Sequence, residues 1–154
     1  MYPDTSRYAI SLGYGVFDFD LSGTGQSRMW AARVERPLSR YVIAEGGVVY
    51  ARPYQQFGDT THFWIGELQV QAQLPTRVVA PYVGVGGGIA WDVRRQPSGT
   101  EQRRVTDPTF SAAVGARAWF TKIFGARAEL RVRGVGGEFQ GSSAEWTIGA
   151  VLRL

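Results

Sequence analysis

The 154-residue sequence contains no cysteine, one histidine (His62) and one lysine (Lys122). Without cysteine there is no disulfide framework, thiolate metal site or cysteine nucleophile. A single histidine rules out a histidine-rich zinc centre, and any Ser-His-Asp triad has to run through that one residue. Charged residues are scarce at 19%, against about 25% in an average domain, and 44% of the chain is hydrophobic. A highly charged disordered polymer is therefore excluded. No run of 18 or more apolar residues occurs, so no helix of the membrane-spanning kind is expected. Met1, Tyr2, Pro3, Asp4 and Thr5 are not followed by the basic and apolar run of a signal peptide. The expectation is a single mature domain over residues 1–154 behind an initiator methionine, with no metal and no cofactor.

What is present is alternation. Between Trp64 and Leu74 one parity reads Trp64, Gly66, Leu68, Val70, Ala72, Leu74, and the other Ile65, Glu67, Gln69, Gln71, Gln73. The same split places Ala126, Ala128, Leu130, Val132 against Arg127, Glu129, Arg131, Arg133, and Trp146, Ile148, Ala150, Leu152 against Glu145, Thr147, Gly149, Val151. A period of two belongs to strands with chemically different faces. Weaker copies cover Tyr8 to Phe19, Met29 to Glu35, Tyr41 to Ala51, Val79 to Trp91 and Phe110 to Phe120, which makes eight strands and needs no helix. Short connections (Arg36 to Arg40, Pro75 to Arg77, Thr121 to Ile123) alternate with longer ones (Asp20 to Arg28, Arg52 to Thr61, Asp92 to Pro108, Gly134 to Ser143). This is the rhythm of an all-β, eight-stranded, antiparallel up-and-down barrel with tight turns at one end and loops at the other.

Parity alone does not say which face points inward, but bulk does. An eight-stranded barrel has an interior just wide enough to be filled by side chains, so the inward set should mix bare backbone with long side chains. The polar parity has this mixture. Ala9, Ser11, Gly13, Gly15, Gly84, Gly86, Gly88, Ala113 and Gly115 stand against Arg33, Glu35, Glu67, Gln69, Gln71, Arg127, Glu129, Arg131 and Arg133. The expected lumenal charges are Arg33, Arg117, Arg127, Arg131, Arg133 and Arg153 against Glu35, Glu45, Glu67, Glu129 and Glu145, six positive and five negative. Mixed signs make burial tolerable. The apolar parity then meets lipid, making the chain a transmembrane barrel. Trp30, Tyr50, Trp64, Trp91, Phe110 and Trp146 fall near the loop ends and Tyr8, Phe120 and Phe124 near the turn ends, as two interfacial aromatic belts do. The opposite assignment would give a soluble lipocalin-like binder with a cavity lined by Leu68, Val70, Leu130 and Val132.

Ala80-Pro81-Tyr82-Val83-Gly84-Val85-Gly86-Gly87-Gly88 and Arg127-Ala128-Glu129-Leu130-Arg131 resemble the fifth-strand PYVGxGxG pattern and the seventh-strand RxExR pattern of the small OmpA-like and opacity-protein-like outer-membrane barrels. The likeness extends over the whole chain in strand order and loop alternation. It implies a bacterial outer-membrane location, periplasmic termini, four external loops and handling by the outer-membrane assembly machinery. One departure is the last residue, Leu154, where such chains usually carry an aromatic residue that this machinery reads.

Two places could carry chemistry. His62 lies beside Asp59, Thr60 and Thr61, and could act as the base of a lipid-modifying enzyme by activating Ser22, Ser27, Ser142 or Ser143. No nucleophile-elbow motif supports this, so a polar residue at the membrane edge is the expectation. The third loop carries Arg94, Arg95, Arg103 and Arg104, and guanidinium groups suit bidentate phosphate contact. Contact with lipopolysaccharide phosphates is therefore expected there. The net charge of +4 does not imply nucleic-acid binding, since many of the arginines alternate with apolar residues inside strands. The glycine run from Gly84 to Gly88 lacks the Lys-Ser and helix start of a phosphate loop. Glu67 and Glu129, in a filled lumen, are out of reach of any sugar.

Overall fold

A computed structural model describes residues 7–18, 26–52, 60–76, 78–95, 102–136 and 141–154. The eight strands are β1 (Ala9–Asp18), β2 (Gln26–Pro37), β3 (Val42–Ala51), β4 (Thr60–Gln73), β5 (Val79–Arg95), β6 (Gln102–Trp119), β7 (Phe124–Val135) and β8 (Gly141–Arg153). Each pairs antiparallel with its chain neighbour, and β8 pairs with β1 through Leu12 and Ala150 to close the barrel. Closure leaves no free sheet edge, the condition for backbone to cross lipid as strands.

Alternation decides the two surfaces. On β2, Met29, Ala31, Arg33 and Glu35 are buried while Trp30, Ala32, Val34 and Arg36 are exposed. On β4, Glu67, Gln69 and Gln71 are buried, and Leu68 between them is 74% exposed. Val70 and Val132 also face out, which overturns the lipocalin-like alternative: the residues it needed as a cavity lining form the outer wall. The aromatic positions follow the same outward parity. The rings of Trp30 and Tyr14 meet at 4.7 Å, and those of Tyr50 and Trp64 at 4.6 Å, both tilted, near the loop ends. Phe120 and Phe124 meet at 6.0 Å beside a short turn, and Tyr8, Phe110 and Trp146 are exposed.

One expected loop is largely strand. The register between β5 and β6 continues past Trp91 and Thr106 through Val93 and Arg104, Arg94 and Arg103, and Arg95 and Gln102. The third connection is therefore a ladder extended by several residue pairs rather than an open loop from Asp92 to Pro108. The side chains of residues 92–95 and 102–105 lie outside the described set, as do Ser22 and Asp59.

Candidate functional site

The lumen holds the densest chemistry in the molecule. Odd positions of β2, β3, β4, β6, β7 and β8 project inward, because strand parity is preserved around the barrel. Arg33, Arg117, Arg127, Arg131 and Arg133 are thereby brought against Glu35, Glu45, Glu67, Glu129 and Glu145, all buried. Arg127 is the hub. It pairs with Glu35 at 2.8 Å, with Glu45 and with Glu129. Arg131 pairs with Glu129 at 2.8 Å, with Glu45 at 3.4 Å and with Glu67. Arg133 joins Glu67 (2.7 Å) to Glu145 (2.6 Å). Arg117 reaches Glu35 at 2.9 Å and Arg33 lies 3.5 Å from Glu45 and 3.3 Å from Glu129.

Arg153 stands apart from these five arginines. Half-buried at the turn end, it sits 3.9 Å from the ring centroid of Trp119 and donates to the Lys122 carbonyl at 3.2 Å. The geometric reason is its place as the last residue of β8, below the level of the glutamates. Its departure leaves five arginines and five glutamates in the ion-pair cluster, a balanced set. Asp107, also buried, lies farther toward the loop end.

Tyr82 is a further member of this cluster, one that the sequence pattern does not single out. Its hydroxyl donates to Glu129 Oε2 at 2.6 Å and accepts from Arg127 Nε at 2.7 Å, while Arg117 lies 4.1 Å from the ring centroid. A tyrosine in a run of apolar and glycine residues reads as one more belt aromatic. The signal that finds it is parity, since Tyr82 shares the face of Gly84 and Gly86. The ring also explains Gly115, its register partner: a Cβ there would lie 2.5 Å from the Tyr82 hydroxyl oxygen and 2.6 Å from the Ala128 carbonyl oxygen.

The loop half of the lumen differs from the expected polar interior. Phe17, Met29, Ala31, Val49, Ala51, Phe63, Ile65 and Ala90 form an apolar cluster on the inner wall of β1 to β5, with Phe17 and Phe63 edge to face at 5.6 Å. The interior is thus stacked in two layers, ion pairs at mid-barrel and apolar packing nearer the loops.

His62 lies on the outward parity of β4 near the loop end. Its Nδ1 is 2.8 Å from the Tyr50 hydroxyl, and the two rings stack at 5.9 Å. Ser27 is buried on the inner face of β2, and Ser142 and Ser143 belong to β8, four strands away around the closed barrel. No described serine is brought to His62. Among the described residues there is also no cluster of histidine and carboxylate side chains able to hold a metal ion.

A closed strand cylinder, apolar outside and charged inside, crosses a membrane as outer-membrane barrels do. The comparisons agree in fold. Neisserial surface protein A (NspA) superposes with a TM-score of 0.81 at 12% identity, covering 96% of this chain and 97% of that one. Ail, the attachment invasion locus protein of Yersinia pestis, gives 0.66 at 12% identity over 96% and 98%. The outer membrane enzyme PagL gives 0.53 at 10% identity over 95% and 99%. No protein-family model and no curated protein matches the sequence. The molecule is an eight-stranded antiparallel transmembrane β-barrel with the fold of outer-membrane barrels.

Proposed function

We propose that this barrel is a non-enzymatic surface-interaction protein whose lumen is closed to diffusion and whose loop end contacts lipopolysaccharide phosphates. The observation that carries the reading is the extended β5–β6 ladder, which sets Arg94 directly opposite Arg103, with Arg95 and Arg104 one position away on either strand. Like charges directly opposite in a ladder repel. A phosphate-bearing partner relieves that repulsion, and arginine is the side chain best suited to bind it. The enzyme reading has no comparable support, since His62 is bonded to Tyr50 and no described serine comes to it.

The test replaces Arg94, Arg95, Arg103 and Arg104 together by Ser and measures lipopolysaccharide association at rising salt. The unmodified barrel should associate and lose association as salt screens the contacts, and the variant should associate weakly at every salt concentration. Equal association and equal salt dependence in the two proteins would contradict the proposal.

A further inference from the structure

The lipid-facing wall of β2 to β5 is unevenly covered. Cross-strand register sets two outward rows side by side, Arg36–Ala44–Val70–Val85 and Val34–Gly46–Leu68. The small residues Ala44 and Gly46 sit between larger ones and leave a groove of about 510 Å³, lined by Val34, Ala44, Gly46, Leu68, Val70 and Val85, with Arg36 at its turn end and the buried Glu45 and Gln69 behind its floor.

Arg36 is the exposed charged side chain at the foot of the groove. Among the described acidic side chains, Glu35, Glu45, Glu67, Asp107, Glu129 and Glu145 are buried in the lumen and Asp18 ends β1 on the loop side. The turn end carries Arg7, Arg36, Arg40, Lys122 and Arg153. Arg36 lies 5.6 Å from the Tyr8 ring centroid, and Arg40, in the turn of the same hairpin, 4.6 Å from that of Tyr41. Aromatic rings with cations beside them mark the headgroup level of a bilayer.

We propose that this groove is a binding site for one anionic phospholipid of the turn-side leaflet, with the phosphate at Arg36, Arg40 adding attraction and an acyl chain lying along Ala44 and Gly46. The inference rests on the barrel spanning the membrane. The apolar lining suits a hydrocarbon chain, and the cationic foot suits a phosphate, which guanidinium groups bind by paired hydrogen bonds. A second copy fits less well. A two-fold interface about an axis along the membrane normal brings the same patch of both copies together, setting Arg36 toward its own equivalent.

The test is native mass spectrometry of the detergent-solubilised barrel with added phosphatidylglycerol or phosphatidylcholine. The unmodified protein should retain one phosphatidylglycerol in preference to phosphatidylcholine, by about fivefold for each cation at the headgroup. Arg36→Gln with Arg40→Gln should abolish the preference. Gly46→Val should lower retention of both lipids by filling the groove; a Cβ at that position meets only the tip of Leu68, at 3.4 Å, so the fold accommodates it. Equal retention of the two lipids by the unmodified protein, undiminished retention in either variant, or dimers in place of lipid would overturn the site. Heat-modifiable gel mobility of the same samples separates the two levels. A retained heat shift without lipid preference overturns the site alone, whereas an unmodified protein without a heat shift overturns the barrel reading and the site with it.

Discussion

Glu129 touches Arg33 at 3.3 Å and Arg131 at 2.8 Å, pairs with Arg127 and accepts from Tyr82 at 2.6 Å. Taking a carboxylate into such a lumen is costly and is offset only by complete pairing. Removing it strands several buried guanidinium groups at once. Glu129→Ala should destabilise the folded barrel by about 3–5 kcal/mol, the usual cost of breaking a buried pair from one side. Arg153→Gln, at the half-exposed turn end, should cost no more than about 1 kcal/mol. Urea unfolding in a fixed detergent checks both, and comparable losses for the two variants would contradict the distinction between cluster and rim. The ten clustered side chains were legible because arginine and glutamate recur at period two beside glycine. Tyr82 was not, because its hydroxyl is its one lumenal credential and its neighbours Val83 and Val85 suggest lipid.

At the level of elements, the eight strands and their order were readable because one face meets lipid and the other meets charge, which gives each strand a pattern of its own. Two features escaped. Phe17, Met29, Phe63 and Ile65 point inward near the loop ends, where both faces of the sheet are apolar and parity loses its contrast. The β5–β6 extension escaped for the converse reason: its sequence through Arg94, Arg95, Arg103 and Arg104 carries no apolar face, and backbone pairing leaves no compositional trace. The glycines, by contrast, report element spacing faithfully. Gly115 lies where Tyr82 crosses from the paired strand, and its would-be Cβ is 2.6 Å from the Ala128 backbone oxygen. Gly115→Ala should therefore displace Tyr82 or part β6 from β7, reducing the fraction that folds into the compact form on a gel run without heating. An unchanged folded fraction would show that the close approach is relieved without cost.

The whole molecule turns the usual globular arrangement inside out. Leu12, Leu68, Val85, Ile148 and Phe110 are exposed, and Arg117, Arg131 and Arg133 are among its most buried side chains. In water, an apolar outer wall of this extent is an aggregation surface; in a bilayer it is the solvated face. Cations gather at the turn end, and the β5–β6 hairpin carries Arg94, Arg95, Arg103 and Arg104 at the loop end. The assignment of faces is tested most directly by gel mobility with and without heating, paired with circular dichroism in detergent and in detergent-free buffer. A lipid-facing apolar wall should give a compact β-rich species that requires detergent and changes mobility on boiling. A β-rich, monodisperse protein in detergent-free buffer with no heat shift would contradict it.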